Sequence, residues 1–467
     1  MKTIKNLYIV VGLIALTIIL FSCKKFVDIG SPNGTVPAGS VFATDASAVA
    51  AVSALYNSGN WRDGMLYTAL LSGMSADELV YFSTGSLLEF QNNDIQTNNS
   101  YIANHTWFFP YQEIRNANIA IDGITKSQNI TPALKNQLIG EAKFWRAFAF
   151  MGMVNLYGGV PLTLSPEPVE NALLPRSSVD EVWAQIMLDL KDAKTLLTPT
   201  YPSAERARVN QYAVSALLAR AYLYRKDWVN AEAEATAVIG SGVYGMTTPS
   251  ANFVKTSNET ILQIYTLTGF NSWGANYVPL NATSGNPNFY LRSGFMSSFE
   301  TGDTRKTNWV APIGTAVNPD YYINKYKLRT ATAGNEYYIV LRLAEQYLIR
   351  AEARAEQDKL IGITGAEADL NEVRSRASLL PKLNLSKPAM LLAIEQERKV
   401  ELFGEYGHRW FDLKRKPSLT DPAKTRADDV LSVIKGTNWQ STDVLFPINQ
   451  DERIKNPALT QNPGYPN

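Results

Sequence analysis

The chain has 467 residues, 45% of them hydrophobic, and its 44 basic and 43 acidic side chains give a formal charge of +1. This length and apolar content can bury a large core, and the balanced charge gives no footprint for nucleic acid. The single cysteine, Cys23, excludes an intrachain disulfide.

Catalytic and cofactor-binding motifs are missing from the sequence. The two histidines, His105 and His408, are too few for a His-rich metal site, and no Cys–His nucleophile pair can be built. No nucleophile elbow, phosphate-binding loop or dinucleotide fingerprint is found. The many acidic residues leave a carboxylate-pair hydrolase open on composition alone, but no pair stands apart from solvated helix faces. We therefore expect a protein that is not an enzyme and needs no cofactor.

The N-terminus has the pattern of a lipoprotein export signal. Two lysines precede an apolar run over residues 7–21, which is shorter than the about 20 residues of a membrane span. The tripeptide Leu-Phe-Ser before Cys23 resembles a bacterial lipobox, in which the cysteine is acylated and the chain is cut just before it. We expect residues 1–22 to be a signal peptide and residues 23–44 a lipidated tether rich in Gly, Pro, Ser and Asn. The alternative is an uncleaved membrane anchor with an incidental cysteine.

Helical periodicity dominates the chain after the tether. It predicts helices over residues 45–57, 65–80, 107–124, 132–157, 177–197 and 386–405, with an Asn-rich loop over 83–104. Pro132 and Gly158 mark the start and the end of one helix, and Ser178 with Glu181 forms a capping box for another.

The stretch 209–240 predicts two short helices that divide at Lys226-Asp227. Small and aromatic residues fall at the offsets of a tetratricopeptide repeat, namely Ala219, Tyr222, Ala231 and Ala235. Small residues at these offsets let two antiparallel helices approach closely. A second pair is predicted over residues 340–357 and 365–378.

Residues 240–340 differ from these helical blocks. They contain ten glycines, a possible strand over 259–267, and sixteen aromatic residues in 101, about 16% against 11% overall. Aromatic side chains on loops cannot all be core, so this region is the first place to seek a binding surface. The tail from residue 436 also reads as loop.

Several stretches together resemble the SusD/RagB family of nutrient-binding outer-membrane lipoproteins of Bacteroidetes. The matching pieces are the lipobox at Cys23 and residues 141–162, 176–190, 210–228, 342–355, 397–415 and 445–465, in register along the chain. The resemblance implies a mostly α fold, with tetratricopeptide-like helix pairs as scaffold and an irregular, loop-rich C-terminal portion containing short strands. It divides the chain into an N-terminal helical region, residues 45–240, and a C-terminal region, residues 241–467.

The resemblance also implies a function and a partner. Family members act as lids over a SusC-like TonB-dependent outer-membrane transporter and capture oligosaccharides before import. A non-catalytic, oligosaccharide-binding lipoprotein, held on the outer membrane by its N-terminal lipid and facing the cell exterior, is therefore expected. Two alternatives are open: capture of peptides by the same lid mechanism, and a structural tetratricopeptide adaptor that binds only protein.

Sugar binding requires flat apolar surfaces flanked by hydrogen-bonding side chains. Two regions meet that description, residues 75–86 and the stretches 270–277 and 303–309, and the family resemblance favours both because its members bind ligand between an N-terminal and a mid-chain region. The candidate ligand-binding residues are Asp77, Tyr81, Phe82, Trp273, Tyr277 and Trp309. The alternative is that these loop aromatics pack onto the scaffold.

The motif GHRWFDLKR, residues 407–415, suggests catalysis by His408 and Asp412, but a structural role fits better. Trp410 and Phe411 are expected in the core, with Arg409 and Asp412 bonded to nearby backbone. Trp107 and Trp145 are expected in the core as well, and His105 is expected to cap a helix or face solvent.

Overall fold

The computed structural model describes residues 41–57, 59–269, 271–280, 287–314, 319–330 and 333–466. The expected signal peptide, the acylated Cys23 and most of the tether lie outside these residues. No helix in the described part of the chain combines the length and the apolar character that crossing a membrane requires.

The protein is mostly helical. Its α-helices are α1 (Asp45–Asn57), α2 (Gly59–Ser75), α3 (Leu88–Asn92), α4 (Phe109–Lys126), α5 (Pro132–Tyr157), α6 (Pro168–Asn171), α7 (Val179–Leu196), α8 (Gln211–Tyr224), α9 (Trp228–Ile239), α10 (Ser272–Tyr277), α11 (Thr304–Trp309), α12 (Leu343–Glu356), α13 (Ala366–Arg376), α14 (Lys387–Leu402), α15 (His408–Arg415), α16 (Arg426–Lys435) and α17 (Gln450–Lys455). A π-helix, Ile102–Phe108, leads directly into α4.

Within the described residues, six short strands lie among these helices. They are β1 (Leu79–Tyr81), β2 (Thr260–Ile264), β3 (Phe289–Leu291), β4 (Val310–Ile313), β5 (Asp320–Ile323) and β6 (Tyr338–Arg342). They form three two-stranded antiparallel sheets, β1–β3, β2–β6 and β4–β5. The predicted fold class, helix pairs with short strands in the C-terminal half, is confirmed.

The structure confirms the helix ends that the sequence predicts for α5 and α7. Pro132 opens α5 and Gly158 ends it with a φ of 74°, a conformation that favours glycine. The Ser178 hydroxyl accepts from the Glu181 amide, and the Glu181 carboxylate accepts from the Ser178 amide, so the capping box of α7 is complete.

The tetratricopeptide-like pairs are α8 with α9 and α12 with α13. Ala219, Ala231 and Ala235 are fully buried where α8 and α9 pack against α12, as the sequence predicts. A buried ion pair joins the two helix pairs, because the Arg220 guanidinium donates to both carboxylate oxygens of Glu345 at 2.6 and 2.7 Å. Small residues set the close helix approach, and this ion pair fixes its register.

Two local predictions are wrong. The helix predicted over 65–80 begins earlier and ends at Ser75, because the following residues turn away to form β1 against β3. The segment 83–104, predicted as a loop, contains α3 and the start of the π-helix. In both cases contacts with distant parts of the chain override the local pattern.

The GHRWFDLKR motif is structural, as expected, but its polar residues act differently. Trp410 and Phe411 are buried in the main core. Arg409 and Asp412 do not bond to nearby backbone. Arg409 donates to Asp77, and Asp412 accepts from Arg398 at 2.6 Å and from Arg415 at 2.7 and 2.9 Å, because charges this deeply buried need charged partners.

Candidate functional site

The β1–β3 ribbon pairs the predicted region 75–86 with residues 289–291, which lie between the two predicted mid-chain stretches. Tyr81 lies opposite Phe289 and Val80 opposite Tyr290, and the Phe82 amide donates to the Asn288 carbonyl at 3.1 Å. The N-terminal segment after α2 thus meets the mid-chain segment by backbone pairing. The exposed site must be sought along this seam.

The mid-chain aromatic candidates lie in the interior. Trp273, Tyr277 and Trp309 are each about 1% exposed. The Trp273 ring packs on Tyr406 with centroids 5.2 Å apart, and the Trp309 indole donates to the Pro249 carbonyl at 2.7 Å. These rings offer no face to a sugar, which corrects the expectation that they line a ligand surface. The irregular segment has few apolar helix faces of its own, so its aromatic rings supply the core that joins it to the scaffold.

Asp77 is also turned inward. Its carboxylate accepts from Arg409 at 2.7 and 3.0 Å and from Lys399 at 2.8 Å, and the residue is 4% exposed. Burial would raise the pKa of Asp77, but these two cations hold it well below its usual range. Asp77 therefore anchors the start of β1 to the C-terminal helices and cannot contact a ligand in this structure.

Two of the predicted residues remain at the surface. Tyr81 is half-buried, and Phe82 is 58% exposed and packs edge-to-face on Tyr290 with centroids 5.4 Å apart. The two side chains alternate to opposite faces of the ribbon, so Tyr81 faces α2 and the π-helix while Phe82 stands on the other side. Both remain candidates.

A half-exposed group of rings adjoins Tyr81. We call Tyr67, Tyr81, Tyr101 and His105 the aromatic belt. The Tyr67 and His105 rings stack with centroids 3.7 Å apart and planes inclined by 26°, and Tyr101 lies 5.3 Å from Tyr67 and 5.7 Å from His105. Tyr81 is included because, after burial, its influence is a further cause of the raised pKa of Tyr101, and its own ring packs on Phe289 with centroids 5.3 Å apart.

The π-helix sets the geometry of the belt. Tyr101 comes directly before it and His105 lies within it, so both rings project toward Tyr67 on α2. Short π-helical segments within helices occur frequently at functional sites. His105, expected to cap a helix or face solvent, is instead half-buried and stacked, which corrects that expectation.

The belt is electrically neutral near pH 7. Burial lowers the pKa of His105 to about 4, so its imidazole is uncharged. Burial and then the neighbouring Tyr101 raise the pKa of Tyr67, so its hydroxyl keeps its proton. The belt thus presents flat rings and hydroxyl groups without a formal charge, the chemistry that complements a neutral sugar ring.

The interior of the helical scaffold has too little space for a sugar ligand. A cavity of about 60 Å³ lies between α2, α4, α5 and α8 and reaches His408. Ligand pockets are typically about 300 Å³ or larger, and 60 Å³ holds only a few water molecules. We therefore place the candidate site on the belt.

Sequence reasoning missed Tyr67, Tyr101 and His105. The available signal was the spacing of Tyr101 and His105 at the end of the Asn-rich segment, since a helical turn would place these two rings on one face.

In the part of the chain that the structure describes, no cluster of three or more His, Cys, Asp or Glu side chains could hold a metal ion.

Comparisons with known proteins agree with this architecture. A family model described as "Starch-binding associating with outer membrane" matches residues 45–223, and the SusD family model matches residues 311–465. A SusD-like protein of Formosa agariphila is 23% identical, with 95% of this chain and 97% of that protein aligned.

Solved structures of the same superfamily share the fold. A SusD superfamily protein of Parabacteroides distasonis covers 90% of this chain and 99% of its own, with a TM-score of 0.75 and 23% identity. A laminarin-binding SusD-like protein covers 91% of this chain and 100% of its own, also with a TM-score of 0.75 and 23% identity. With the two family models matching both halves of a chain built on this helical scaffold, the protein belongs to the SusD/RagB family.

Proposed function

We propose that this protein is a non-catalytic glycan-binding lipoprotein of the outer membrane. Cys23 would carry the lipid, and a SusC-like TonB-dependent transporter would import the captured oligosaccharide. The observation that carries the proposal is the stacked, half-exposed Tyr67–His105 pair, with Tyr101 beside it, at the seam of the N-terminal and mid-chain regions.

The chemistry of the belt fits a carbohydrate ligand. Stacked rings present an apolar face to the C–H side of a pyranose, and tyrosine hydroxyls exchange hydrogen bonds with sugar hydroxyls. The names of similar proteins point the same way, since one is laminarin-binding and one is a surface glycan-binding protein of Bacteroides uniformis.

The position of the exposed aromatics disfavours the adaptor alternative. A tetratricopeptide adaptor should expose aromatic rings on its helix pairs. In the described residues the three most exposed aromatic side chains, Phe82, Phe108 and Tyr265, lie outside α8, α9, α12 and α13, where Tyr222, Trp228 and Tyr347 are half-buried. Peptide capture by the same lid mechanism is the second candidate, and the binding experiment below separates it.

The belt is tested by titration of the protein with a panel that begins with laminarin and starch oligosaccharides. Tyr101→Ala should weaken binding about three- to tenfold, as expected for the loss of one ring contact. Tyr101→Phe keeps the ring and should retain most of the affinity. Tyr67→Ala should act in the same direction as Tyr101→Ala.

Tyr265→Ala is the matched control, because it removes a 39% exposed tyrosine that is not part of the belt. It should leave the affinity unchanged. Equal affinity of wild type and both belt variants, with intact helical circular dichroism, would refute the site. Binding of peptides and of no glycan would favour the second candidate.

The anchor and the transport partner need separate tests. A fatty-acid analogue should label the wild-type protein in cells but not Cys23→Ser, and label retained in the variant would refute the lipid assignment. Uptake of the bound glycan should be lost when the gene of the SusC-like transporter is deleted. Uptake that continues at the wild-type rate would refute the partnership.

A further inference from the structure

A second concave surface lies beside the belt. It is a groove of about 350 Å³ between the junction of the π-helix with α4 and the C-terminal helix α17. We call it the Arg115 groove. Its walls include Trp107, Phe108, Tyr111 and Arg115 on one side and Asn171 and Lys455 on the other. Its volume lies within the range of small-ligand pockets.

A chain of ring contacts connects the belt with the groove. The His105 ring lies 5.2 Å from Phe109, and the Phe109 ring lies 5.9 Å from Phe108. Phe108 is 49% exposed and lines the groove. The π-helix therefore places one ring, His105, on the belt and another, Phe108, in the groove.

The two surfaces differ in charge. The His105 imidazole of the belt is uncharged, and burial raises the pKa of Tyr67 and of Tyr101, so their hydroxyls keep their protons. In the groove, the Lys455 ammonium donates to the Glu452 carboxylate at 2.8 Å, so these two charges offset each other. Arg115 is exposed, and no side chain among the described residues forms an ion pair or hydrogen bond with it. Among the described residues, Arg115 is therefore a cation of the groove without a side-chain partner, and the exposed Phe108 ring lines the same groove.

Neighbouring polar groups in the groove are mostly occupied. The Tyr111 hydroxyl donates to the Pro161 carbonyl at 2.9 Å, and the Asn118 amide donates to the Thr163 carbonyl at 2.8 Å. These bonds fix the walls of the groove and leave the Arg115 guanidinium as its available charged donor. A guanidinium binds planar carboxylates and sulfates through two parallel hydrogen bonds.

We propose that the Arg115 groove is a subsite for an acidic sugar, in which Phe108 stacks on the ring and Arg115 binds its carboxylate or sulfate group. The ligand class is thus a glycan that carries a negative charge some residues away from the part that lies on the belt. This inference rests on the proposed glycan-binding function and narrows its substrate class.

The test uses matched pairs of oligosaccharides that differ only in charge. Oligogalacturonates, oligomannuronates and glucuronoxylan fragments are compared with their carboxyl-reduced forms, and carrageenan oligosaccharides with their desulfated forms. The uronate and sulfate arms distinguish the two sources of the anion. Wild-type protein should prefer the acidic member of at least one pair about tenfold, and added salt should reduce that preference.

Arg115→Ala should abolish the preference by weakening the acidic member about tenfold more than the neutral member. Arg115→Lys should keep part of it, because the charge remains but the two-pronged geometry is lost. Lys191→Ala is the control, since it removes an exposed cation from helix α7, away from the groove. Phe108→Ala should weaken both members of the pair.

The outcomes separate the two proposals. If glycans bind and Tyr101→Ala weakens them, but no pair shows an acidic preference or Arg115→Ala keeps it, the subsite is refuted and the proposed function stands. If laminarin or starch oligosaccharides bind but no member of any pair does, the subsite is likewise refuted and the proposed function stands. If none of the neutral panel and no member of any pair binds, both proposals fail.

Discussion

Two adjacent carboxylates, Asp77 and Glu78, show how strongly position decides the chemistry of a side chain. Both are almost completely buried. Arg409 and Lys399 surround Asp77 and hold its pKa well below the usual range, despite its burial. Burial and the nearby negative charge of Asp77 raise the pKa of Glu78 to about 8. One carboxylate is thus charged and the other protonated at neutral pH, directly before the strand that carries Tyr81.

Glu78→Gln tests this difference in protonation. The folded protein keeps the Glu78 proton up to about pH 8, whereas the unfolded chain releases it near the ordinary value of 4.5. Because the folded state binds the extra proton in that window, this group makes the protein less stable as the pH rises from about 4.5 to 8. The variant should therefore gain stability on the order of 3–5 kcal/mol at pH 8 and little at pH 5.

Urea unfolding of the variant and the wild type at the two pH values measures this effect, and the difference between the two proteins cancels the other titrating groups. Asp77→Asn is the control, because it should destabilise the protein at both pH values by leaving Arg409 and Lys399 without their partner. An equal effect of Glu78→Gln at pH 5 and pH 8 would contradict the assignment.

At the scale of secondary-structure elements, local signals in the sequence predicted most helices. Gly158, Ser178 and Glu181 mark helix ends by interactions within a few residues, so the pattern suffices. The end of α2 could not be found in this way. Its last residue is Ser75. The segment that follows is not helical, because Asp77 forms ion pairs and β1 pairs with β3. Both partners lie more than 200 residues away in the sequence.

Ser178→Ala tests a helix end that the sequence did reveal. The variant removes the hydroxyl that accepts from the Glu181 amide at 3.2 Å, and we expect the free energy of unfolding to fall by about 1 kcal/mol. Thr131→Ala is the matched control, since the Thr131 side chain precedes α5 but makes no capping hydrogen bond. Chemical denaturation of both variants checks the difference. Equal losses would show that the Ser178 hydroxyl has no special part in stability.

At the scale of the whole molecule, the family resemblance predicted that an N-terminal and a mid-chain region approach each other, but the sequence did not predict which side chains face outward. The N-terminal and mid-chain segments do pair, yet Trp273 and Trp309 turn into the core that joins them. A single sequence contains no information on which face of an irregular segment packs, because no 2- or 3.6-residue period marks it. Tyr67 and His105 lie on two different helices, and the sequence pattern of neither helix predicts that the two rings stack.

The irregular middle of the chain is also joined to the C-terminal helices by buried charges. Glu401 on α14 accepts hydrogen bonds from Arg305, Arg342 and Arg376, which come from α11, β6 and α13. Arg342 also donates to Glu405, and Lys325 donates to Glu405 as well. Burial opposes the charge on Glu401, but the surrounding arginines hold the pKa of Glu401 well below its ordinary value. This network ties together elements that the sequence keeps far apart.

Glu401→Gln should therefore destabilise the protein by about 3 kcal/mol or more, because three arginines lose their common partner inside the protein. Since the pKa of Glu401 is depressed in the folded state, its contribution is full at neutral pH and is lost as the pH falls below about 4.5. The variant and the wild type should accordingly converge in stability at acidic pH.

Urea unfolding at neutral and acidic pH, with and without added salt, measures this difference in stability. Burial should make the effect insensitive to salt. Lys126→Ala breaks an ion pair with Asp122 whose side chains are 75% and 37% exposed, and should change stability by less than about 0.5 kcal/mol. If Glu401→Gln reduced the stability as little as Lys126→Ala, the network would not hold the irregular middle of the chain and the C-terminal helices together.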